Sequence, residues 1–247
     1  LCIGLSGCGK NVDTVAESTV PIEIGEHVMY GSYQGEPVEW RVLDKKDGEI
    51  LLLSEYGLDA QPFDTSGKSR VDWKDSTIRK WLNDDFYNSA FSEKEKENIV
   101  ESKSEGFEEY NTSMNLTGGG KPYAYLEREI EDKVFLLSNT ELCAYFSEDP
   151  YPGCYSDPYA HKELLCYPTA YAKQQLETRY QTETCGWWLC NHVYEDDSVE
   201  LVSAYGQGSG TSRENIKANT KSIAVRPAMW VTWQSDMEMV EANQQVE

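Results

Sequence analysis

The chain has 247 residues, 39% of them hydrophobic, and 43 acidic against 22 basic side chains leave a formal net charge of −21. A chain of this length can bury a substantial core, and no run approaches the roughly 18 to 20 apolar residues of a membrane-spanning helix. The acidity argues against nucleic acid, whose phosphates call for a basic surface, and against adsorption to a bare anionic membrane.

The first segment in chain order is also the most telling about location. Leu5-Ser6-Gly7-Cys8 runs apolar, small, small, Cys, the order of a bacterial lipobox. Residues 1–7 read as the remnant of a lipoprotein signal peptide. Ser6 and Gly7 leave room for a peptidase, and Cys8 is the lipidation site, carrying two acyl chains where one gives only marginal anchoring. Residues 8–21 are small, polar and aperiodic, as a tether is. The competing reading is an N-terminal strand with a buried Cys, and the polar segment that follows favours the lipobox. The expectation is a protein anchored in the cell membrane by lipid and facing the extracellular side.

Residues 22–233 read as a single α+β domain, a mainly antiparallel sheet with a few short helices. Ile24–Tyr33 and Val38–Leu43 predict two strands, and Lys45-Lys46-Asp47-Gly48 predicts a hairpin into a third, Glu49–Ser54. Ile78, Trp81, Leu82 and Phe86 recur at helical spacing behind Asp75 or Ser76 as N-cap. Ser92-Glu93-Lys94-Glu95 is a capping box opening a helix through Ile99. Residues 104–121 are acidic and then Gly-rich, a surface excursion. Asp132–Ser138 predicts a strand, Thr140–Phe146 a helix, residues 147–160 a loop and Thr169–Leu176 a helix. Gly186–Cys190 and Ser198–Ser203 predict strands, Gly206–Gly210 a turn, and Ile223–Val231 the closing strand, where Pro227 predicts an edge position or a bulge. Residues 234–247 form an acidic tail expected to fray.

Outside the cytoplasm disulfides are permitted, which makes Cys143, Cys154, Cys166, Cys185 and Cys190 candidates, five thiols that cannot all pair with one another. If Cys185 to Cys190 is extended, five steps of roughly 3.3 Å put their Cα atoms about 16 Å apart. A disulfide tolerates about 7 Å, so these two seek other partners or stay free. A zinc site from Cys143, Cys154, His161 and Cys166 lacks the tight C-x-x-C pairs of common structural sites. Cys190 and His192 share a strand face as a conceivable nucleophile and base, with no third group to orient them. Asn191 with Glu195, Asp196 and Asp197 offers hard oxygen ligands for Ca²⁺, against the plainer reading of a solvated acidic loop. No other cofactor is indicated.

Trp187 and Trp188 project to opposite faces of their strand, so one of them needs a second layer or a ligand. Arg226 reads as a structural ion-pair or carbonyl-binding residue, or as a clamp on a ligand carboxylate. Together Trp187, Trp188, Asn191 and Arg226 are the candidate ligand-binding residues.

Gly31-Ser32-Tyr33, Glu39-Trp40-Arg41-Val42-Leu43, Leu51-Leu52-Leu53-Ser54, Arg79-Lys80-Trp81-Leu82-Asn83, Phe86-Tyr87 with Ala90-Phe91, Asp132–Ser138, Trp187-Trp188-Leu189 and Val225-Arg226-Pro227-Ala228 occur in that order. From about Ile24 to Val231 the chain resembles a bacterial domain of unknown function, family six-two-seven-three. Its members stand mainly on secreted or surface proteins of Gram-positive gut bacteria. The resemblance implies a domain identity and carries no catalytic residue. Where that family has Trp-Trp-Leu-Arg-Ser, this chain has Trp187-Trp188-Leu189-Cys190-Asn191, so a role tied to that Arg is in doubt here. The C-terminal half is also similar, at the level of fold, to C-type-lectin-like and formylglycine-generating modules. The resulting expectation is a lipid-anchored, non-catalytic binding or interaction module with a glycan or peptide as ligand. Its alternatives are an extracytoplasmic enzyme using Cys185 or Cys190, and a purely structural envelope lipoprotein.

Overall fold

Two tight hairpins set the register of the sheet. In the computed structural model, which describes residues 22–68, 71–103, 130–146, 162–177, 182–192, 199–207, 218–234 and 237–239, β1 (His27–Tyr33), β2 (Glu36–Lys46) and β3 (Glu49–Ser54) follow one another as an antiparallel meander. Both turns have positive φ at both central residues, Gln34 and Gly35, then Asp47 and Gly48. That backbone matches the twist of the flanking strands.

Three further strands complete this sheet. β4 (Ile99–Val100) and β7 (Ala228–Thr232) extend it beyond β3, and β8 (Glu238–Met239) pairs with β1 at the opposite rim. The order is β4-β7-β3-β2-β1-β8, antiparallel at every pairing. A separate ribbon pairs β5 (Trp187–His192) with β6 (Val199–Val202). The α+β architecture with a mainly antiparallel sheet is therefore as the sequence predicts.

Burial divides the large sheet into two halves. β1 and β2 largely alternate between buried and partly exposed positions, so one face is packed and the other meets water. The first five residues of β3 after Glu49, and the first four of β7, are buried throughout, which requires material on both faces. The helical layer lies on the packed face of β1 and β2. There α1 (Thr77–Trp81) runs through a π-helical turn (Leu82–Phe86) into α2 (Tyr87–Ala90). Phe86 stacks on Tyr33 at 5.1 Å, and Phe91 on Tyr30 at 5.9 Å and on Trp40 at 6.3 Å. Gly31 meets this layer with positive φ. A Cβ there would lie 2.6 Å from the Ala90 carbonyl oxygen and 2.7 Å from the Phe91 ring.

Local signals behave as their chemistry requires. The Ser76 Oγ accepts the Arg79 N–H and starts α1, and Ser92 with Glu95 forms the reciprocal capping box of α3 (Glu93–Lys96). Asn83, inside the π turn, accepts the Lys133 and Val134 N–H groups and donates to the Val134 carbonyl. It thereby satisfies backbone that has no ladder partner. Four predictions change. The helix opened by Ser92 ends at Lys96, and Ile99 enters β4. Asp132–Ser138, buried but for Lys133, forms no ladder and makes isolated bridges at Asp132 and Phe135. Pro227 marks no edge, because β7 lies between β3 and β4 and its ladder begins one residue later. Part of the acidic tail, Glu238–Met239, is strand. The helices α4 (Asn139–Phe146) and α5 (Ala170–Gln175) fall as expected, α5 capped by Thr169.

Candidate functional site

The period-two alternation of β1 and β2 places His27, Glu39 and Arg41 on the water-facing side, His27 directly across from Arg41. Glu55, one residue past β3, joins them by donating its N–H to the Glu39 carbonyl. His27 Nδ1 lies 2.6 Å from Glu39 Oε1, and its Nε2 lies 3.9 Å from Glu55 Oε2. Arg41 holds Glu55 with both Nε and Nη2, at 3.0 and 3.1 Å, a bidentate fork. All four side chains are roughly four-fifths buried, which leaves polar edges available to a bound molecule.

Behind Glu55 stands Arg226, fully buried. Its Nε donates to the Ser54 carbonyl at 2.8 Å, and its guanidinium carbon lies 5.0 Å over the Trp187 ring. Nη2 reaches Glu55 Oε2 only at 3.8 Å, and neither Nη1 nor Nη2 has a hydrogen-bond partner. Such a group is costly unless an anion is nearby. Glu55 is that anion, and the thiols of Cys166 and Cys185 lie close by. The Cys185 thiol donates to the Cys166 carbonyl at 3.4 Å and the Cys166 thiol to the Tyr167 carbonyl at 3.8 Å, and both lie under Gly57, where a Cβ would stand 3.2 Å from Cys185 Sγ and 3.5 Å from Cys166 Sγ. Burial opposes ionisation of Cys166, but the Cys185 hydrogen bond and the Arg226 charge outweigh it and lower its pKa. Cys185, donating to Cys166 and buried, is pushed up.

Two tyrosines open onto solvent where this cluster meets the surface. Gly57 donates to the Tyr167 carbonyl at 3.0 Å, which brings Tyr56 and Tyr167 into neighbouring strands of backbone. They are 38% and 48% exposed, high values for large aromatic side chains in this fold. Burial first, and then the Glu39 and Glu55 carboxylates, raise the Tyr56 phenol.

The residues singled out by sequence fall elsewhere or deeper. Trp187 and Trp188 are both fully buried, and each indole N–H is satisfied by a backbone carbonyl, of Leu164 at 3.1 Å and of Gln61 at 3.0 Å. A second layer, and not a ligand, covers the outward ring. Asn191 is buried too, and its Oδ1 accepts the Asn139 N–H at 2.7 Å at the start of α4. Cys190 contacts the Asn191 Oδ1 at 3.8 Å, while Cys185 sits with Cys166. Of the sequence candidates, Arg226 with Trp187 beneath it, Cys166 and Cys185 are the ones found beside the cluster. Cys8, Cys154, His161, Glu195, Asp196 and Asp197 lie outside the described residues, as do the side chains of Cys143 and His192. Among the described residues no three His, Cys, Asp or Glu side chains are arranged to hold a metal ion, and no helix is long and apolar enough to cross a membrane.

Glu39, Arg41, Glu55, His27, Tyr56 and Tyr167 were not singled out as site residues. Their signal was the Glu39-Trp40-Arg41 alternation, which puts two charges on one face of a strand whose other face carries the fully buried Trp40.

An antiparallel sheet with short helices and a half-buried charged cluster defines a class of small α+β domain without itself naming one. The sequence completes the assignment: the profile of Domain of unknown function (DUF6273) matches residues 47–233, and the chain belongs to that family. The matched span contains Glu55, Cys166, Cys185 and Arg226 and begins just after β2. No curated protein and no solved structure gives a significant match.

Proposed function

We propose that this protein is a lipid-anchored extracytoplasmic binding module, non-catalytic, whose ligand is a glycan taken up at Tyr56 and Tyr167. The observation that carries the reading is that Tyr56 and Tyr167 are both exposed on backbone segments joined at Gly57, with Tyr56 beside the Glu39 and Glu55 carboxylates. Aromatic faces stack on the apolar faces of sugar rings, and fixed carboxylate and guanidinium groups orient the hydroxyls. The excess of negative charge favours neutral over acidic glycans. The anchor rests on the Leu5-Ser6-Gly7-Cys8 lipobox.

The test is a glycan array followed by calorimetric titration of the chain lacking residues 1–20. Neutral glycans bind, and Tyr56→Ala or Tyr167→Ala each weakens binding about tenfold or more, in line with the loss of one stacking contact. Binding that survives both changes, or that is confined to peptides, overturns the glycan site. Separately, Cys8→Ala moves the protein from the membrane pellet to the soluble fraction on cell fractionation. A mutant that still sediments removes the anchor from the reading.

A further inference from the structure

Cys166 and Cys185 stand 19 positions apart in sequence, in segments joined by a backbone hydrogen bond. The Cys185 N–H donates to the Cys166 carbonyl at 2.8 Å, and the Cys185 thiol also points at that carbonyl, at 3.4 Å. With covalent lengths fixed, that backbone bond holds the two Cα atoms no farther apart than about 6.7 Å, inside the span of roughly 4.4 to 6.8 Å that a disulfide accepts. Both sulfurs rest on the bare backbone of Gly57, the only residue type that leaves them room there, since a Cβ would also strike Ala224 at 2.8 Å. Arg226, fully buried with two unpartnered nitrogens, adds a fixed positive charge to the same spot.

We propose that Cys166 and Cys185 form a reversible thiol–disulfide pair, with Cys166 the attacking sulfur and Cys185 the resolving one. The oxidant is a small-molecule disulfide such as oxidised glutathione. The Cys166 thiolate attacks one of its sulfurs, the S–S bond breaks and one glutathione thiolate leaves, giving a mixed disulfide on Cys166. Cys185 loses its proton and attacks the Cys166 sulfur, and the second glutathione thiolate departs. Two protein thiols are oxidised to one disulfide and one glutathione disulfide is reduced to two thiols, the leaving thiolates taking up the two protons. Arg226 favours the reduced state, because its charge stabilises a Cys166 thiolate and does nothing for a disulfide. The bond is therefore more easily reduced than an ordinary structural disulfide.

The proposal borrows from the extracytoplasmic reading only its oxidising setting, and the two fail separately. Refolding in a defined buffer tests the chemistry, and fractionation of Cys8→Ala tests the placement. The denatured, reduced chain is refolded in glutathione buffers of graded redox ratio, then unfolded in the presence of N-ethylmaleimide, so that every free thiol is blocked, and cleaved with trypsin. Because the thiols are exposed during refolding, their native burial does not prevent reaction. Mass spectrometry should find residues 163–173 linked to residues 180–213, with fragmentation placing the bond on Cys185. The link persists in Cys190→Ser and disappears in Cys166→Ala and Cys185→Ala. Arg226→Gln moves the midpoint of the glutathione titration about tenfold toward the disulfide, the equivalent of about one unit of thiol pKa, while Arg226→Lys moves it less. Folded wild-type protein with Cys166 and Cys185 both alkylated at every ratio overturns the proposal. So does a bond from either residue to Cys143, Cys154 or Cys190. Mapping the wild type needs no variant, so a misfolded mutant does not blunt the test.

Discussion

Tyr33 shows how a single hydroxyl ties stability to pH. Its O–H donates to Asp59 at 2.5 Å, and Asp59, itself buried, also accepts the Ala60 N–H at 2.6 Å. Burial, and then the Asp59 hydrogen bond, push the Tyr33 phenol well above its ordinary value of about 10. A group whose folded pKa is raised contributes its stability fully below the unfolded pKa and loses it as pH rises through the folded one. Resistance to thermal unfolding should therefore begin to weaken above about pH 10. Tyr33→Phe should flatten the fall between pH 9.5 and 11 while lowering the melting temperature at pH 7, because Asp59 then lacks its donor. An identical alkaline slope in both proteins would show that Tyr33 ionisation does not couple to unfolding. Arg226 makes the complementary case: Arg226→Ala leaves the Ser54 carbonyl without its donor and a void beside Trp187, at a cost of about 3 kcal/mol in urea denaturation.

At the scale of elements, the meeting of β1 with the helical layer is decided by one missing side chain. Gly31 combines positive φ with a Cβ position already filled by the Ala90 carbonyl and the Phe91 ring, whereas Gly35 has positive φ but open space around it. Gly35→Ala should cost about 1 to 2 kcal/mol, the left-handed penalty alone. Gly31→Ala should cost at least twice that, since backbone has to move, and urea melts of the two variants measure the difference. The meander, its Asp47-Gly48 turn, the Ser76 cap, the Ser92 capping box and the helix around Trp81 are all legible because each rests on contacts within a few residues. Less legible were features settled by distant partners. Ile99 leaves its predicted helix because it pairs with Val231, and Trp188 needs no ligand because Gln61, 127 positions away, takes its indole N–H. The site was hardest of all to read. Glu39, Glu55, Arg226 and the two thiols come from five segments, and only the folded sheet brings them together.

For the whole molecule, charge and closure of the sheet matter most. A net charge of −21 on 247 residues repels itself in the compact state. Raising salt from about 10 to about 150 mM shortens the range of that repulsion to about 8 Å, and the melting temperature should rise by about 2 °C or more. A fall on adding salt would mean that ion pairs such as Arg41 with Glu55, and not the net charge, dominate the response. The rim of the sheet has its own consequence. Among the described residues β8 covers β1 at Val28 and Met29. Met237 and Met239 pack against the core and pin it there, so it works as a guard rail along that rim. When it lifts, a row of peptide groups is left bare, and any extended chain that reaches them, including the same stretch of a second molecule, can zip on in its place.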